Sequence, residues 1–133
     1  MSRENIPEQV YVKDFKQLAV WQKATTLADR IYEIVKGFPD FELYQMQSQI
    51  LRATTSISAN LAEGNGQTFP KKEYTFFNTA LGSANEVRNW LEQAYRRGYI
   101  QKSEFDELDG LTIEIIKMII GRMKNLKKMN EEE

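Results

Sequence analysis

The chain of 133 residues contains no cysteine and no histidine. Lack of cysteine excludes disulfides, thiol nucleophiles and thiolate metal sites. Lack of histidine removes the commonest general base and the commonest transition-metal ligand, so the Glu-x-x-His set of di-iron bundles cannot be built in its usual form. No run approaches the roughly 18 apolar residues of a membrane span. The opening stretch "MSRENIPEQVYV" has no apolar signal-peptide core. A cytoplasmic protein with no membrane partner is expected. Lys and Arg number 18 against 19 Asp and Glu, for a net charge of -1, so no global field draws the chain toward nucleic acid, although a local basic face can act alone. No Gly-rich phosphate loop, catalytic triad or metal-ligand spacing is present. The expectation is a non-enzyme without cofactor or metal.

Proline and glycine are also scarce, at 3 and 7 residues, and Gly37, Pro39, Gly64, Pro70 and Gly98 fall where helices would start or stop. A length of 133 residues with 41% hydrophobic and 28% charged content suits one domain with one core. A first helix is expected from Asp14, with Gln17 as capping-box partner, to Lys36, stopped by Gly37 and Pro39. A second runs from about Phe41 to Glu63 and stops at Gly64. A third opens at Pro70 and ends at "RRG" before Gly98. A fourth starts at Ser103, with Asp106 at the capping-box position, and carries apolar residues on more than one face. Each shows apolar residues every three or four positions. Short links make sequence neighbours antiparallel, so the fold class is all-α, an up-down-up-down antiparallel four-helix bundle with left-handed packing. Residues 1–13 read as an extended N-terminal arm, with Val10, Tyr11 and Val12 available to dock on a neighbour or on the bundle itself. Residues 14–129 form the bundle, and 130–133 a disordered acidic tail.

The second helix is short of charge. Between Glu42 and Glu63, Arg52 is the only charged residue. A face of Gln, Ser, Thr and Asn is cheaper to desolvate than one of Lys and Glu. That points to a helix covered on both sides, by its own bundle and by a second copy, with the broad apolar surface of the fourth helix as complement. Two different patches in contact make a heterologous interface, which closes into a ring if the rotation permits. The alternative is a neutral, solvated helix.

Small and polar residues are concentrated in "SISANLAEG" (Ser56 to Gly64) and "ALGSAN" (Ala80 to Asn85). Gly82 costs about 1 kcal/mol in a helix interior, a cost usually offset by close backbone approach. A close crossing of the second and third helices is therefore expected at Ser56, Asn60, Glu63, Gly64, Gly82, Ser83 and Glu86. Arg52 and Arg88 are candidate partners for the carboxylates. Glu63 and Glu86, joined by Glu73, are candidates for a metal or acid/base pair and so for an enzyme, against which structural hydrogen bonds and ion pairs are favoured. Candidate nucleic-acid contacts are Lys71, Lys72, Arg88, Arg96 and Arg97 with Lys124, Lys127 and Lys128, although cations are also biased toward helix C-termini in general. Trp21 lies on an apolar stripe and reads as core, and Trp90 as a subunit contact.

"SISANLAEG", "ALGSANE", "GYI" (Gly98 to Ile100) and "FKQLAVWQKA" (Phe15 to Ala24) together resemble the 23S rRNA intervening-sequence proteins, also called the S23 ribosomal protein family. The resemblance covers residues 14 to 127. It implies a bacterial bundle that assembles as a ring-like homopentamer. That family is similar to the accessory proteins of diversity-generating retroelements, which bind a reverse transcriptase and nucleic acid. Two functions follow as expectations: a self-assembling, homopentameric scaffold or adaptor, and an accessory protein that binds RNA or DNA, or a protein partner, through basic faces of the ring.

Overall fold

The computed structural model describes Ile6 and residues 8–131. Residues 1–5, Pro7 and the last two positions of the expected acidic tail lie outside the described residues. Among the described residues every regular element is helical: α1 Ala19–Ile34, α2 Met46–Asn65, α3 Pro70–Arg96 and α4 Lys102–Glu131. α1 packs on α2 and α4, and α3 on α2 and α4, so the four rods form a closed square. Residues 8–13 have no regular structure.

The core follows from the helical period. Val20, Ala24, Leu27 and Ile31 from α1 meet Ile50, Ile57 and Leu61 from α2, Phe77, Ala84, Val87 and Leu91 from α3, and Leu108, Ile115 and Ile119 from α4, all buried. Two threonines share this core, and each returns its hydroxyl to the preceding turn: Thr54 Oγ1 donates to Ile50 O at 2.6 Å and Thr112 Oγ1 to Leu108 O at 2.7 Å.

The boundaries of α3 match the expectation at both ends. Pro70 sits in the first turn. At the other end Gly98 takes φ 76°, the Gly98 N–H reaches Tyr95 O at 3.0 Å, and Tyr99 N–H reaches Ala94 O at 2.9 Å. This is the double bond of a Schellman stop, and its left-handed residue is the reason for glycine there.

Elsewhere the ends differ from the reading of the sequence. Asp14 caps a separate 3-10 turn, Phe15–Gln17, by accepting from Lys16 N at 3.1 Å, and α1 begins only at Ala19. The segment from Phe41 is a 3-10 turn, Asp40–Glu42, and α2 starts at Met46. Gly64 does not stop α2: it lies buried inside the helix, which runs to Asn65. Glu104 serves the start of α4, where its Oε1 accepts from Gln101 N at 2.9 Å, and Ser103 lies within the helix. At the far end α4 continues through Asn130 and Glu131.

Candidate functional site

Three constellations carry polar groups into or across the bundle. The first is the α2–α3 crossing. Ser56 Oγ and Ser83 Oγ share a hydrogen bond of 2.8 Å, and Asn60 Nδ2 donates to Ser56 O at 2.8 Å and to Ser56 Oγ at 3.1 Å. Small side chains allow the two backbones to approach closely enough for hydroxyls to meet directly. Among the glycines, however, the tightest surroundings are at Gly64. A Cβ built there would lie 2.8 Å from Phe77 Cδ1 and 3.0 Å from Phe76 Cβ. Gly82 is exposed and has open space where a Cβ would stand, so no close contact explains it. Glu63 and Glu86 are exposed, not near-core. Glu86 accepts from Trp90 Nε1 at 3.1 Å, one turn away. The expected arginine for them, Arg88, turns to α4 instead: its Nε donates to Asp109 Oδ1 at 2.8 Å, and that bond holds its guanidinium above the usual range.

The second constellation is a pair of buried carboxylates. Glu73 is 5% exposed, and Arg122 donates to it from Nε at 2.8 Å and from Nη2 at 3.2 Å, a fork that satisfies both oxygens. Glu42 is buried at the opposite end, where Oε2 accepts from Tyr99 OH at 2.8 Å and Oε1 from Met46 N at 3.4 Å. Burial pushes the Tyr99 phenol up from its ordinary value, and the bond to Glu42 adds to the shift. Each oxygen of both carboxylates accepts a hydrogen bond from the protein, and no group of three or more carboxylates placed to hold a metal ion is found among the described residues. Glu73 is detectable in the sequence, because it falls on the stripe Pro70, Phe77, Ala80, Ala84 that α3 buries. Glu42 has no such signal.

The third is the basic end. Since α2 and α4 run alike, the start of α3 and the end of α4 meet. Lys71 and Lys127 line one groove of about 300 Å³ with Tyr74, Thr75 and Leu126. Lys124 joins Lys127 and Tyr74 around Ile120, and Lys72 joins Lys71 beside Phe76. Lys128 is exposed at the same helix end. Among the described residues none of these five lysines has an ion-pair partner. The other three expected contacts are elsewhere. Arg96 and Arg97 close α3, about 40 Å away along a 27-residue helix. They bond to Glu92 and Gln93 within that helix. Arg88 is engaged by Asp109 midway along the bundle. The sequence thus groups eight cations that the fold divides into five at one end and three spent on local contacts.

The fold and these surfaces define an all-helical four-helix bundle with a polar helix crossing, two buried carboxylates held by Arg122 and Tyr99, and one lysine-rich end. The chain belongs to the 23S rRNA-intervening sequence protein family, whose model matches residues 16–121. Its structure is similar to the crystal structure of a protein of unknown function from the S23 ribosomal protein family of Bacteroides thetaiotaomicron VPI-5482, with a TM-score of 0.74 and 32% identity over 80% of this chain and 99% of that one. No curated protein matches the chain.

Proposed function

We propose that this protein is a non-enzymatic, cytoplasmic scaffold or adaptor that assembles with copies of itself into a homopentameric ring. The flank of α2 carries this reading. α2 packs on α1 and α3, which leaves a line of Arg52, Thr55, Ala59 and Glu63 facing outward. Between its two charged ends that line holds only small or neutral side chains, with half-buried Leu51, Ser58 and Ala62 beside it. Such a strip loses little hydration when covered. The complementary surface is the edge of α4, where Ile113 and Ile116 are half-buried and Ile120 is 37% exposed. The number five rests on the resemblance to the family, and heterologous pairing of two different patches suits a closed ring. Light scattering at micromolar concentration tests it. The wild type is expected at five times the chain mass of 15.5 kDa, and Ala59→Glu at the mass of one chain with unchanged helicity. A monomeric wild type overturns the reading.

A second reading is favoured by one observation: five lysines with no ion-pair partner among the described residues meet at one end. Repeated around a ring, they make a cationic rim suited to RNA or DNA phosphates. Titration with RNA at two salt concentrations tests this, and absence of binding at the lower one removes it.

A further inference from the structure

The segment leading into α1 leaves its apolar side chains in water. Val10 is 100% exposed and Val12 91%. In an extended chain these two residues lie on the same side, with Tyr11 opposite. Glu8 precedes them. The root of this arm is fixed: Lys13 Nζ donates to Gln67 O at 2.7 Å, and the arm borders Gly66 and Thr68 of the α2–α3 loop. The arm therefore leaves the bundle beside the end of α2, on the flank that the assembly reading covers with another copy.

The surface that such a copy brings there has matching chemistry. A cyclic ring relates its members by rotation about one axis, so along that axis the arm's end of one bundle is level with the same end of the next. There the α3–α4 groove offers apolar walls at exposed Tyr74 and at the barely accessible edge of buried Leu126, Lys71 and Lys127 as cationic rims, and a volume of about 300 Å³. Tyr74 is 36% exposed in the isolated bundle, and Ile120, just beyond, is exposed too. We infer that residues 8–12 of one copy dock in the Lys71–Tyr74–Leu126–Lys127 groove of its neighbour, Val10 and Val12 against the apolar walls and Glu8 against the lysines. This rests on the ring assembly proposed above. It also gives the basic end an occupant of this chain's own making, in place of nucleic acid.

The lack of cysteine makes the test clean, because introduced thiols have no competitors. Val10→Cys and Thr75→Cys are placed together in the full chain, oxidised, and run on a non-reducing denaturing gel beside each single variant. The expected result is a ladder of covalently linked chains from the double variant and monomers from the single ones. Light scattering on the same samples separates the two ideas. A monomeric protein removes the ring. An intact ring without a ladder removes the arm exchange and leaves the ring standing. Oxidised monomers of altered mobility place the arm on its own bundle and also overturn the proposal. An intact ring without a ladder, in which single-stranded RNA shields the Thr75→Cys variant from a thiol reagent, gives the groove to nucleic acid.

Discussion

Gly64→Ala should destabilise the bundle even though alanine is the better helix former. Its new Cβ would lie 2.8 Å from Phe77 Cδ1 and 3.0 Å from Phe77 Cε1 and Phe76 Cβ, well inside van der Waals contact. Phe77 cannot give way easily, because it is fully buried and the largest side chain in the core. Forcing a methyl group into a packed interior costs roughly 1–3 kcal/mol. Against this stands a helix-propensity gain of up to about 1 kcal/mol, reduced because Gly64 is the penultimate residue of α2. A net loss of about 1–2 kcal/mol is expected. Gly110→Ala is the control. It lies within α4, is exposed, and has nothing within 4 Å of an added Cβ, so it should gain about 1 kcal/mol from propensity alone. Urea unfolding followed by circular dichroism, at matched chain concentration, gives both values. Gly64→Ala as stable as Gly110→Ala would refute the packing argument and the close crossing with it.

Three other outcomes follow from the polar contacts. Arg122→Met should cost more than Glu73→Met, by roughly 2 kcal/mol, since it strands a buried carboxylate, whereas Arg122 is 41% exposed and can turn to water; urea midpoints of the two variants and the double mutant check the order. The Tyr99 phenol, raised above its ordinary 10.0 mainly by burial, binds its proton more tightly in the folded state. Its contribution is therefore full below pH 10.0 and is lost as pH rises through the folded value, and Glu42→Gln should bring the Tyr99 tyrosinate absorbance, read as a difference from Tyr99→Phe, closer to the ordinary range. Arg30, hydrogen-bonded to Glu107 from Nε and Nη2, holds that carboxyl below its usual value. The pair's stabilisation is present above the ordinary carboxylate range and fades as pH falls through the depressed one; a small difference in urea midpoint between wild type and Glu107→Gln should appear at neutral pH and vanish in acid or in high salt, because Glu107 is exposed and Arg30 only half-buried.

Features governed by local chemistry are legible in the sequence. Pro70 and the Arg96–Gly98 stop bound α3 as their backbone preferences require, and the small-residue runs announce the Ser56–Ser83 contact. Errors arise where tertiary contacts outrank local signals. Glycine after an apolar stripe normally ends a helix, yet Gly64 is there for Phe77, a residue of another helix. α2 starts only at Met46, whose N–H reaches Glu42 Oε1 while Glu42 Oε2 is held by Tyr99, 57 positions away. Arg122 reads only as part of a basic run, and its bond to Glu73 spans 49 positions. The candidate cations are sorted by the topology: charge on one helix face is readable, whereas the meeting of Lys71 with Lys127 requires knowing that α3 begins where α4 ends.

The square of helices has one side unlike the rest. Three neighbouring pairs are joined directly by links of 11, 4 and 5 residues, whereas α1 and α4 meet only across the whole length of chain between them. Closing that side carries the largest loop entropy, and along its surface it is tied by the Lys23–Glu114 and Arg30–Glu107 contacts. Transient opening should therefore begin there, with α1 swinging away from a surviving three-helix remainder. In hydrogen exchange, amides of α1 would then lose protection before those of α2 and α3.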